Sequence, residues 1–171
     1  MDHTAEREYR EFVASRHAAL FRVAMLLTGH REDAEDLLQT ALTKLALHWT
    51  RVARLASADA YVRKILYHQQ VSRWRSRRHR REHVTADPPD TGAVGDLAHD
   101  SALRVTLATV LGKLTRRQRA VIVLRYYEDL PEAEVAQILD CSVGTVRSQT
   151  HRSLARLRVL YPEFASLKET A

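Results

Sequence analysis

The densest run of chemically capable side chains lies between Tyr61 and Arg81. Arg63, Lys64, Arg73, Arg75, Arg77, Arg78, Arg80 and Arg81 stand there without an intervening acid, and Tyr61, Tyr67 and Trp74 are interleaved with them. Guanidinium groups fork onto phosphates and aromatic faces stack on unpaired bases, so this composition suits a nucleic-acid strand. A charge run is ordinarily a solvated face. Like charges one turn apart destabilise a helix, however, so a run this dense points to an anionic partner that offsets the repulsion. A second group, Arg147, Ser148, Gln149, His151, Arg152 and Arg156, supplies a basic and polar helix face of side-chain types that can reach base edges. A third pattern, His79-Arg80-Arg81-Glu82-His83, has the H-x-x-E-H spacing of one zinc peptidase class. It stands at the ragged end of the arginine run, with no third ligand in view, and reads as a chance match. The single cysteine, Cys141, excludes an internal disulfide and a cysteine-based zinc cluster, and reads as a small semi-buried residue. No glycine-rich phosphate loop or nucleophile elbow occurs, and no cofactor is expected.

The elements that must position these groups are helices. Residues 130–158 predict a short helix opening at Pro131 with Val135, Ala136 and Leu139 inward, a break at Asp140, Cys141 and Ser142, and a longer helix capped by Ser142. Val143, Val146, Thr150, Leu154 and Leu157 fall on one face of that second helix, opposite the basic polar residues. A short helix, a tight turn and a longer helix of this kind describe a helix-turn-helix, whose second helix can enter a DNA major groove.

Upstream, a helix over about 6–28 carries Phe12, Ala19, Leu20, Val23 and Leu27 on one stripe and ends at Gly29. A second, over about 32–49, buries Ala34, Leu37, Leu38, Ala41, Leu42, Leu45 and Trp49; acids in its first turn complement the helix dipole. A third begins near Ser57 with Tyr61, Val62, Ile65 and Leu66, then continues into the arginine run. Residues 82–101 hold two prolines, two glycines, five acids and no Lys or Arg, which predicts a flexible acidic linker. Beyond it, Leu103, Leu107, Val110, Leu111 and Leu114 stripe a helix over about 102–114. Thr115 and Gln118 form a capping-box pattern that starts the next, with Val121, Ile122, Leu124 and Tyr127 inward. The expected fold is all-α: two small helical domains, 1–81 and 102–171, joined by residues 82–101.

The whole-chain numbers agree with this. The chain has 171 residues, only five glycines, few aromatics and a net charge of +6, which fits a helical protein with an anionic partner. The charged N-terminus lacks a signal core and no apolar run approaches a membrane span, so a cytoplasmic setting is expected.

Four stretches in this order carry a resemblance: DAEDLLQTALTKLALHW (33–49), AYVRKILYHQQVSRWRSRR (60–78), LTRRQRAVIVLRYYEDL (114–130) and VGTVRSQTHR (143–152). Together, over about residues 8–158, they resemble the extracytoplasmic-function RNA polymerase sigma factors, and DAEDLLQ with TVRSQTHR resembles the actinobacterial branch often called the SigE family. The resemblance implies a sigma-two domain (1–81), a linker that threads toward the active-site cleft and RNA exit path, and a sigma-four domain (102–171). It implies core-polymerase docking through Asp33, Asp36, Leu37, Gln39 and Thr43. It implies minus-ten recognition and strand opening through Arg63, Lys64, Tyr67, His68, Arg73, Trp74, Arg75, Arg77 and Arg78. Minus-thirty-five recognition falls to Thr145, Arg147, Ser148, Gln149, His151 and Arg152. Many members have Asn at the position of His68, Asp at that of Ser72, Arg at that of Gln149 and Ser at that of Pro131; the first three departures bear on base preference. The implied partners are core RNA polymerase, promoter DNA and, in some members, an anti-sigma factor.

Such a protein is not itself an enzyme. A stand-alone helix-turn-helix regulator would account for 130–158 but leave the 33–49 face and the 61–81 helix without a task. A helical zinc hydrolase would rest on residues 79–83 alone.

Overall fold

The computed structural model describes residues 2–53, 58–80 and 102–162, with no side chains for 77–80 or 102–106. The regular structure among the described residues is helical throughout. It falls into two units, Met1–Arg78 and His79–Ala171, each with its own core. Ser57 as a cap, Arg81, the linker 82–101, Glu82 and His83 of the zinc-like pattern and the tail beyond Pro162 lie outside the described residues, as do the side chains of Arg77, Arg78, His79 and Leu103.

The first unit is a three-helix arrangement. Helix α1, His3–Thr28, begins three residues earlier than its apolar stripe suggests, because the Asp2 carboxylate accepts from the Ala5 N–H at 2.8 Å. It stops where Gly29 turns left-handed (φ 79°) and donates its N–H to the Met25 carbonyl, a conformation glycine adopts without steric cost. Helix α2, Arg31–Val52, then runs back along α1. Leu20, Val23 and Leu27 of α1 are buried, as are Ala34, Leu37, Leu38, Ala41, Leu45 and Trp49 of α2. Tyr9 and Phe12 pack on Trp49 with ring centroids 5.4 Å away in each case, and the Tyr9 hydroxyl donates to the Leu42 carbonyl. Helix α3, Ala58–Arg80, inserts Val62, Leu66, Tyr67 and Val71. It is pinned by Gln70 donating to the Leu27 carbonyl and by an Arg16–Asp59 pair at 3.6 Å.

The described residues of the second unit form four α-helices and a π turn. Helix α4, Ala102–Gly112, contributes Val110 and Leu111, with Leu114 buried just after it. The expected capping box is present: Thr115 accepts from the Gln118 N–H while the Gln118 side chain accepts from the Thr115 N–H. Helix α5, Arg116–Ile122, buries Arg119 almost fully, and its Nε donates to the Leu111 carbonyl, tying the open end of α4 to α5. The chain then widens into a π turn, Val123–Tyr127, closed by the Glu128 N–H on the Val123 carbonyl. That turn corrects one expectation: Val121, Ile122 and Leu124 are buried, but Tyr127 is 44% exposed, because the wider turn carries it off the apolar stripe. Leu107 of α4 also faces outward at 41%.

Helices α6, Glu132–Leu139, and α7, Val143–Leu160, form the helix-turn-helix. Pro131 is the N-cap of α6, one position before the first helical residue where it was expected. Without a side-chain acceptor it caps only through its carbonyl, which receives the Glu134 and Val135 N–H groups.

Candidate DNA and polymerase interfaces

The geometry of α7 follows from the turn before it. Asp140 adopts a left-handed conformation (φ 48°), its N–H reaching the Gln137 carbonyl at 3.3 Å and the Cys141 N–H reaching that of Ala136 at 3.0 Å. This is a Schellman closure with Asp where glycine is usual. Ser142 then caps α7, its hydroxyl accepting from the Thr145 N–H at 3.1 Å. Val146, Thr150, Ser153, Leu154 and Leu157 are buried beneath α7, and Val143 is half-buried.

At 3.6 residues per turn, 147, 148, 151 and 152 form one contiguous outward patch. Arg147, His151 and Arg152 are exposed, and Ser148 is half-buried with its hydroxyl donating to the Thr145 carbonyl. Gln149 lies on the opposite flank, half-buried. Thr145 belongs mainly to the cap: its hydroxyl lies 2.9 Å from that of Ser142. Arg147 sits on the flank toward α6, where its Nε donates to Glu132 Oε2 at 2.8 Å. Glu132 was not among the expected site residues; an acid in the first turn of α6, opposite an arginine in the first half of α7, is the signal that marks it.

In the first unit the proposed docking residues divide. Asp36, Gln39 and Thr43 are exposed on α2 and Asp33 is half-buried. Leu37 is fully buried and so is corrected to a core residue: it lies beneath the exposed polar side of α2 and offers no surface. On α3, Lys64, His68 and Arg75 are exposed along one side, while Trp74 is half-buried. Tyr67, 5% exposed, is corrected to the core, since a ring enclosed by helices has no face free to stack on a base. Arg63 is half-buried and bonded to Asp59 at 2.7 Å. His68 has its pKa lowered from the ordinary 6.5, first by partial burial of the ring and then by the Lys64 charge.

Arg73 joins the two faces. Its Nη2 lies 2.6 Å from the Asp36 carboxylate and 3.4 Å from the Thr40 hydroxyl, so an α3 arginine anchors directly on the acid of α2. Asp36 remains 67% exposed, with surface left for a partner.

Among the described residues no group of His, Cys, Asp and Glu could hold a metal ion, and no helix is long and apolar enough to cross a membrane. Cys141 is free and half-buried.

Two family models match the chain: Sigma-70 region 2 over residues 12–80, and Sigma-70 region 4 over residues 104–157. The chain is 39% identical over 158 residues to the RNA polymerase sigma-E factor of Streptomyces avermitilis, covering 92% of this chain and 87% of that protein. It is 29% identical over 163 residues to the ECF RNA polymerase sigma factor SigL of Mycobacterium tuberculosis, covering 93% and 92%. A solved structure of the sigma factor RpoE of Bartonella quintana, crystallised with the anti-sigma factor NepR, matches with a TM-score of 0.64 over 95% of this chain and 99% of that one. At 22% identity that likeness concerns the fold.

Proposed function

The chain belongs to the extracytoplasmic-function RNA polymerase sigma factors, and from that premise we propose how its two units divide the work of promoter recognition. Residues 1–81 act as the sigma-two domain, docking on core polymerase and engaging the minus-ten element. Residues 102–171 act as the sigma-four domain and read the minus-thirty-five element, with 82–101 as the connection. The protein works as a dissociable, non-enzymatic subunit in the cytoplasm, and an anti-sigma factor, the partner crystallised with the structurally similar RpoE, is the class of regulator that suits it. A stand-alone DNA-binding regulator is disfavoured, because the region 2 match extends over residues 12–80, from within α1 through α2 and α3.

The observation that carries this reading is the polar face of α2, where Asp36, Gln39 and Thr43 are exposed on a helix whose opposite side is core. It supports docking by Asp33, Asp36, Gln39 and Thr43, and Lys64, His68, Arg75 and Trp74 on α3 are then the groups available to promoter DNA. Arg63 and Arg73, each engaged by an acid, serve chiefly to orient α3.

Co-purification with core polymerase tests the assignment. Replacing Asp36 with Lys places a like charge against Arg73 and against any basic partner surface. Core binding should be lost while the helical circular dichroism is retained. The melting temperature should fall somewhat, because the Arg73 side chain is only 24% exposed and loses its carboxylate partner, while the fold persists. Undiminished core binding would remove Asp36 from the interface.

A further inference from the structure

We propose that Glu132 is a positioning residue for promoter readout: it holds the Arg147 guanidinium by its Nε so that the terminal nitrogens are presented end-on to a base edge. The proposal deepens the reading of α7 as the recognition helix and rests on it.

The geometry separates this contact from an ordinary surface ion pair. Arg147 is 70% exposed while Glu132 is only 23% exposed, so the carboxylate is the fixed member and the guanidinium the presented one. Glu132 stands in the first turn of α6, where a negative charge is favoured by the helix dipole, and α6 is anchored by buried Val135, Ala136, Ile138 and Leu139. The closed turn at Asp140 and the Ser142 cap hold α6 and α7 in one relative geometry. The bond to Glu132 uses Nε at 2.8 Å. A guanidinium has five N–H donors in a planar fork, so a carboxylate on Nε leaves the Nη1/Nη2 end free for two parallel hydrogen bonds. That end matches the O6 and N7 acceptors of guanine in the major groove.

The carboxylate also works against the alternative use of Arg147. A free arginine side chain has many rotamers and can settle on a phosphate, which carries no sequence information. Glu132 restricts those rotamers and adds a negative charge beside the backbone path. Its removal should therefore have two effects of opposite sign: looser discrimination between bases, and unchanged or stronger binding to DNA in general. Partial unfolding would weaken both.

The test uses the full-length protein with core polymerase, transcribing a promoter library randomised across the minus-thirty-five region. Direct binding to random-sequence DNA is measured in parallel. Arg147→Ala should lose roughly tenfold preference at one base pair. Glu132→Ala should lose roughly threefold at that same pair, the scale of freeing one long side chain. Glu132→Gln, whose amide oxygen still accepts from Nε, should retain most of the preference. In the Arg147→Ala background, Glu132→Ala should change nothing further at that pair. Glu132→Ser is read alongside, so that a folding defect of the Ala variant alone does not decide the outcome. If Arg147→Ala relaxes one position and neither Glu132→Ala nor Glu132→Ser does, the positioning role is overturned and the recognition-helix reading stands. If Arg147→Ala relaxes none, Arg147 reads no base and both fall.

Discussion

Tyr67 and Trp74 lie on one stripe of α3, two turns apart, and differ in what surrounds them. Tyr67 is enclosed by the helices of the first unit, whereas Trp74 retains solvent contact near the arginine-rich end. Tyr67→Ala should therefore lower the stability of that unit by about 3 kcal/mol, as a buried aromatic truncation does, seen as an earlier thermal transition. Trp74→Ala should leave the transition nearly in place. It should instead reduce permanganate reactivity of minus-ten thymines, with transcription restored on a template that carries a pre-opened bubble. A Trp74 variant that melts early and is not restored by the bubble would make this ring structural as well. Val62, Leu66 and Val71 place Tyr67 on the inward arc of α3, a position that the dense arginines around it obscure in the sequence. Leu37 shows the converse. A docking motif is written as consecutive residues, while a helix turns roughly a third of any such run into its core.

Among the elements, the helix-turn-helix was the most legible, because its signals are local: Ser142 as a cap, an apolar stripe on α7 and a break in period between two helices. What the pattern did not reveal was how the break is built. Asp140 holds a left-handed conformation that costs an ordinary residue roughly 1–2 kcal/mol, and more for a β-branched one. Asp140→Val should destabilise the second unit by at least about 1 kcal/mol, and Asp140→Gly should restore or exceed the original melting temperature. Both are measurable by thermal denaturation, and loss of DNA binding should track the Val variant. The π turn at Val123–Tyr127 was not legible, since a helix that widens by one residue keeps helical composition and changes only which side chains face inward. Tyr127 on the surface is the result.

At the scale of the molecule, the two units have separate cores, and each corresponds to one family match. A fragment of residues 1–80 should accordingly fold alone, with a cooperative melt. It should compete with the full-length protein for core polymerase and lower transcription in proportion to its concentration. A fragment that is unfolded, or that folds without competing, would show that docking needs both units.

The order in which the ribosome delivers the chain adds to this. Long helices with local contacts fold within about a millisecond. Synthesis of the remainder, at roughly 5–20 residues per second, takes on the order of 5–20 s. For much of that interval the nascent chain would carry the unit proposed to dock on polymerase and engage the minus-ten element, without the unit proposed to read the minus-thirty-five element. A message broken within the linker codons would consequently yield an inhibitor of the very protein it encodes.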